Sequence, residues 1–466
     1  MNNRMTRYVA TFAMALWAIA CFAFFQWWYP YHFFYQEQNQ LFLMSEDYIV
    51  TYFQKPGAVA RLTGNFLTQF YYYLYAGASI LTAVLLLTGI ILYKALRNMK
   101  ASKAIALTVS LAVISFLAVC HFSTSYRLAS TVSVTGWCLL LWGVSLVKPW
   151  KMRIITLAVA LLPTYLLFGV PVISKLKGPD FILEKDFAVS NEYYFGNHQK
   201  VIDIVEHADF TTDDMLFFYN LVQAQRGELP DHLLRFTPTQ LGTFYQIGPE
   251  TPRLVIINMN ELYWALGDMT FTERAAMMTN VFAPDNRNVR MIKRLAECNL
   301  VSGDSMAADK YLRILDHTMM YRQWSAEARK SPLYAEKAKL VNHHDTITVS
   351  DNAHFLMMQL LDAHPENTIA LDYILCSTLL LKDIANFKRD YDRYCMDLQR
   401  PRLKKLYQEA LCIWLAGSQA PPEDWYKYIK DSSVLQRFQQ YNQQRGSSQF
   451  RDTYWFYFDK IKAPTI

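Results

Sequence analysis

Residues 8–29 read YVATFAMALWAIACFAFFQWWY, a run without a single charged side chain. Its length meets the roughly 20 residues that a helix needs to cross a hydrocarbon core of about 30 Å. A secretory leader would carry an apolar core of about 7–15 residues and then small residues at a cleavage point. Here the run ends in Phe24-Phe25-Gln26-Trp27-Trp28-Tyr29-Pro30, bulky aromatics of the kind that sit at a membrane–water boundary. The stretch is therefore expected to remain as an anchor.

Four further runs repeat the pattern: about Phe70–Tyr93, Ala104–Phe122, Leu128–Val147 and Ile154–Ile173. The reading is five transmembrane helices within residues 1–174, and basic residues set their direction. Arg4, Arg7, Lys94, Arg97, Lys100, Lys103, Lys148, Lys151 and Arg153 fall on one side, against Lys55, Arg61 and Arg127 on the other. Cytoplasmic loops collect Lys and Arg, so the amino terminus is expected in the cytoplasm and everything after Ile173 on the outer face.

Charge divides the chain in the same place. Residues 1–174 hold 12 Lys and Arg against 3 acids, and the remaining 292 hold 34 against 37. The overall +6 thus comes from a membrane half. It is not the basic face of a nucleic-acid binder, and no nucleic-acid partner is expected.

All three acids of that half, Glu37, Glu46 and Asp47, lie in the connection 30–69 between the first two runs. Phe33, Phe34, Leu41, Phe42, Ile49 and Phe53 alternate there with polar residues, as in helices lying along a bilayer surface, and Pro56-Gly57 breaks the pattern. Two readings are open for the acids. In one they are catalytic or metal-binding, as in outer-face sugar transferases that use lipid-linked donors. His32, Tyr35, Gln38 and Gln40 would then hold a head group. In the other they are a solvated rim that orients interfacial helices. Residue type and position are weak warrants for function, and the rim is favoured.

From residue 175 onward apolar residues recur every three or four positions, which reads as nearly all-α. Leu254–Ile257 is compatible with a short strand. Turn-forming pairs interrupt the helices at Gly196-Asn197, Gly227-Glu228, Gly267-Asp268, Gly303-Asp304, Lys382-Asp383 and Gly417-Ser418. The spacings are 31, 40, 36, 79 and 35 residues. With the long one taken as a doubled interval, the period is near the roughly 34 residues of tetratricopeptide repeats. Glu261–Asp268 and Ala296–Asp304, the latter followed by Ala307, Ala308 and Tyr311, resemble a helix and turn of such a unit, whereas 318–350 fits none. The fold expected for 175–466 is a tetratricopeptide-like α-solenoid.

No phosphate loop, zinc-protease helix, Cys-x-x-Cys pair or nucleophile elbow is present. His343-His344-Asp345, with His354 and His364, reads as a surface loop, and neither a cofactor nor a metal is expected. Cys298, Cys376, Cys395 and Cys412 sit among aliphatics as buried thiols. Lys388-Arg389 and the basic run at 400–405 read as solvated faces. The aromatic segment Asp452–Phe458 reads as a docking element that either caps the solenoid or rests against the membrane surface, and the cap is favoured. Gly77, Gly89, Gly136 and Gly143 are candidates for close helix approach.

His32-Phe33-Phe34-Tyr35 with Glu37-Gln38 and Gln40, then Phe66-Leu67-Thr68-Gln69-Phe70 and the closing Thr453-Tyr454-Trp455-Phe456, resemble an uncharacterised family of integral membrane proteins from Bacteroidota. The resemblance implies a Gram-negative inner membrane with the repeat region in the periplasm. The leading expectation is a scaffold, embedded in membrane lipid, whose periplasmic repeats bind a protein or peptide. The alternative is an enzyme acting on a lipid-linked substrate through Glu37, Glu46 or Asp47.

Overall fold

The computed structural model describes residues 2–146, 178–236, 244, 251–341 and 352–464. Among these, every regular element is helical. By contacts the chain forms two units: residues 1–187 with 280–296 and 309–330, and residues 188–279 with 297–308 and 331–466.

The first unit begins with α1 (Asn2–Trp27), α2 (Tyr31–Gln38), α3 (Glu46–Phe53) and α4 (Ala58–Thr68). A 3-10 turn, Gln69–Tyr72, leads to α5 (Ala76–Asn98), α6 (Lys103–Cys120) and α7 (Leu128–Ser145). Four segments are long and apolar enough to cross a membrane: Tyr8–Trp27, α5, α6 and α7. The chain is thus a membrane protein, and the fifth apolar run, Ile154–Ile173, lies outside the described residues. The second span starts later than its hydropathy indicates. Tyr75 adopts a left-handed conformation (φ 71°) that a helix interior rejects, so α5 begins at Ala76.

Half of the apolar stretch of α5 is buried within the protein, against 22%, 28% and 28% for α1, α6 and α7. It is the central helix, packed on the other three through Leu81, Leu85, Ile114, Leu117 and Leu128. Polar side chains join the helices where small residues bring them close. Thr88 and Thr135 hydroxyls lie 2.7 Å apart, and Trp17 Nε1 donates to Ser115 Oγ at 2.9 Å. Gly77 accommodates the Phe33 ring, whereas Gly136 and Gly143 have no neighbour within 4 Å of a notional Cβ.

The tightest approach is α4 on α7. A Cβ on Gly64 would lie 2.4 Å from the backbone of Ala129, a distance that forces one helix to shift. Gly64→Ala is expected to lower stability by about 1–3 kcal/mol through overpacking. Unfolding of the detergent-solubilised protein checks this, and an unchanged midpoint would refute the close packing.

The second unit repeats one local device. Where the sequence places its turn pairs, Gly196, Gly227, Gly267, Gly303 and Lys382 all have positive φ. At Gly267, its N–H reaches Trp264 O and the Asp268 N–H reaches Tyr263 O. This double closure satisfies the last carbonyls of a helix. The same pair of bonds recurs at Gly196, Gly227 and Lys382. Asp268, Asp304 and Asp383 then cap the following helices, accepting from Phe271, Ala307 and Asn386 N–H groups. At the sixth place the helix runs through Gly417, and Gln419 takes the left-handed turn (φ 51°) with the same two bonds.

Leu254–Ile257 is not a strand. It opens the helix Arg253–Leu266, because the apolar pattern continues at helical spacing through Leu262 and Leu266, both buried. The carboxyl-terminal aromatics are interior. Trp455 is 1% exposed and donates to Glu409 O at 2.7 Å, while Tyr454 and Tyr457 hydroxyls close on Leu379 O and Leu380 O.

Candidate functional site

Helix α2 carries four of the seven residues singled out in the sequence, His32, Tyr35, Glu37 and Gln38, and Gln40 follows it by two positions. It follows Pro30, and the free N–H groups of a helix start need acceptors from elsewhere. Glu184 supplies them: its carboxylate accepts from Tyr31 N at 2.5 Å and His32 N at 3.2 Å. A carboxylate also suits the positive end of the helix dipole, yet burial pushes Glu184 well above the usual carboxylate range. Tyr35 stacks on Phe187 with ring centroids 4.2 Å apart. His32 Nδ1 donates to Tyr29 O at 2.7 Å, which leaves Nε2 as a buried acceptor with no partner. Burial lowers its pKa to about 3, so the ring is neutral at physiological pH.

The far end of α2 is held by residues roughly 250 positions away. The Tyr321 hydroxyl donates to Glu37 Oε2 at 3.1 Å, Arg290 Nη1 donates to Gln38 Oε1 at 3.1 Å, and Asn288 Nδ2 donates to Asn39 Oδ1 at 3.1 Å. Val289 N–H closes on Gln40 O, and Met44 N–H on His317 O. Gln40 Nε2 donates to Asn65 O at 3.1 Å. The expected solvated rim is thus corrected for this segment: His32 through Asn39 are buried, and Glu37, Gln38 and Asn39 find side-chain partners inside the unit.

Glu37 lines a small cavity with Gln40, Gln69, Thr318 and Tyr321. Its volume is about 10 Å³, room for roughly one water molecule. Burial pushes the Glu37 carboxyl from 4.5 up to about 8, with the Tyr321 hydroxyl pulling part of the way back. The side chain is a neutral acid at pH 7, able to donate as well as accept. Both amide atoms of Gln69 are buried without a hydrogen-bond partner.

Glu46 and Asp47 do not join Glu37. Both are exposed in the first turn of α3, where carboxylates favour the helix start. Among the described residues, no group of three or more His, Cys, Asp or Glu is placed to hold a metal ion. His343, His344 and Asp345 lie outside those residues. The cysteines are free thiols, six of the seven buried.

Within the two basic clusters read as solvated faces, Arg389 and Lys405 are exposed, but Lys388 and Arg402 are corrected. Lys388 is buried between the rings of Trp414 and Tyr428, 4.1 and 4.3 Å from their centroids, and pairs with Asp392. Arg402 forms a two-pronged bond to the fully buried Asp372, at 2.6 and 2.5 Å. Asp372 is the only charged residue in the apolar helix Thr368–Leu380, and that isolation was a readable sign of a buried partner.

The architecture and the site define an all-helical membrane protein whose first loop is clamped by later segments of its own unit. The chain belongs to DUF6057, a family of unknown function, which matches residues 4–176 and 171–461. No curated protein and no solved structure matches it.

Proposed function

We propose that the protein is a bacterial inner-membrane scaffold. In this reading residues 1–174 cross the bilayer five times from a cytoplasmic amino terminus. Residues 175–466 form a periplasmic, tetratricopeptide-like solenoid that binds a protein or peptide. The observation that supports it is the recurring turn at Gly196, Gly227, Gly267, Lys382 and Gln419. One closure repeated along a chain is the local signature of stacked hairpins, and such stacks present extended binding surfaces. The first loop points the same way, since Glu37, Gln38 and Asn39 are engaged by later residues of the chain and its cavity holds about one water molecule.

Topology and binding are tested together. Protease added to intact spheroplasts is expected to digest residues 175–466; protection until lysis would sink the reading. A photo-crosslinking residue at exposed Met306 or Tyr426 is expected to form discrete protein adducts in living cells, reproducible across positions. Adducts to lipid alone would count against it.

A second reading rests on Glu37, a neutral acid beside the unpartnered Gln69 amide. Here Glu37 acts as a general acid on a lipid-linked substrate at the outer leaflet. Glu37→Gln would then change the lipid-linked glycans extracted from cells, whereas an unaltered profile leaves the scaffold.

A further inference from the structure

Helix α3 has two unlike faces. Tyr48 and Tyr52 are buried against Phe42, with ring centroids 5.6 and 6.2 Å away. On the other side, Glu46, Val50 and Phe53 form one exposed stripe, being spaced four and then three residues apart on a helix. That stripe changes character along its length, from a carboxylate at the start to an aromatic ring at the end. The chain then turns at Gln54-Lys55-Pro56-Gly57 and enters α4 at Ala58. Phe53 and Val59 flank the turn and are 62% and 71% exposed.

Exposed aromatic residues also stand at the ends of two spans of the same unit. Trp27 and Trp28 close α1, and Tyr73 and Tyr75 precede α5, all of them exposed. Aromatic residues at span ends mark the interfacial level of a bilayer. Helix α4 is fixed beside span α7 by the Gly64–Ala129 approach, so the turn is not free to swing away. Among the described residues neither Lys55 nor Arg61 has an acidic partner. An apolar tip carrying two unpaired cations fits an anionic lipid surface.

We propose that the α3–α4 turn is a membrane foot. Phe53 and Val59 insert into the leaflet on the side where α1 ends, and Lys55 and Arg61 bind the phosphate of an anionic phospholipid. Glu46 stays in water at the raised end of the stripe. The inference rests on the transmembrane reading of the spans and is independent of what the repeats bind.

The test uses the full chain in nanodiscs of phosphatidylethanolamine and phosphatidylglycerol. Cys21 is replaced by Ser, since the other six cysteines are buried, and a nitroxide is attached at Phe53→Cys or, in a second sample, at Asp47→Cys. The label at 53 is expected to be more accessible to oxygen than to an aqueous nickel complex, with the order reversed at 47. Phosphatidylglycerol is expected to be enriched among lipids retained through detergent purification. Lys55→Gln with Arg61→Gln reduces that enrichment about fivefold for each charge removed, while Lys55→Arg with Arg61→Lys preserves it. Equal nickel accessibility at 53 and 47 would overturn the insertion. Enrichment unchanged by the Gln pair, or lost equally in the charge-preserving pair, would overturn the lipid site.

Discussion

Raising the pH from 5 to 9 is expected to destabilise the wild-type protein far more than its Glu37→Gln variant. The carboxyl titrates near 4.5 in the unfolded chain and near 8 in the folded one. A raised folded-state pKa means that the native form holds the proton more tightly. The stability it contributes is complete below 4.5, declines as pH rises, and is gone above 8. At roughly 1.4 kcal/mol per tenfold change the window is worth on the order of 5 kcal/mol. Gln keeps the acceptor for Tyr321 and has nothing to ionise. Glu184 shifts in the same direction as Glu37. His32 acts in the opposite sense: its folded pKa near 3 removes stability as pH falls below its ordinary 6.5. The difference between wild type and variant isolates Glu37 from both. Parallel stability curves for the two proteins, measured by thermal unfolding in detergent, would show that this carboxyl is not buried as described.

Arg402→Met is expected to cost the second unit about 3–5 kcal/mol, the usual result of stranding one partner of a buried pair. Asp372 is fully buried, and without the guanidinium it keeps only the Tyr407 hydroxyl, 2.9 Å from Oδ1. Replacing both partners, Arg402→Met with Asp372→Leu, restores most of the loss, because neither charge then needs compensation. Cys376 gives the readout. Its Sγ lies 3.5 Å from the Tyr407 hydroxyl and is buried, so a thiol-reactive dye labels it only as the region opens. Equal labelling rates in wild type and single variant would refute the assignment.

These two sites mark where reading the sequence stops. The four described spans were legible because apolar length is a local property; α5 shifted most, starting at Ala76 after the left-handed Tyr75 and running on to Asn98. The turns were legible for the same reason: a turn-forming residue ends one helix, and at Asp268, Asp304 and Asp383 the next residue caps the following one. Gly417 misled because Gln419 took the strained position instead. Burial of charge is not local. Lys388 and Arg402 sit in basic stretches of sequence, and only packing brings Trp414 and Asp372 to them. Glu37 and Gln38 were singled out, but their setting was misread, since Asn288, Arg290 and Tyr321 are too distant in the chain to announce themselves.

The clasp on α2 has a consequence for how the protein is made. Translation delivers the first span and its loop early, and the side chains that complete Glu37, Gln38 and Asn39 emerge only much later. Until then the Glu37 and Gln38 side chains lack the partners that Tyr321 and Arg290 later supply. Nascent chains arrested before Asn288 should therefore be handed to membrane proteases, whereas chains released after Tyr321 should escape them.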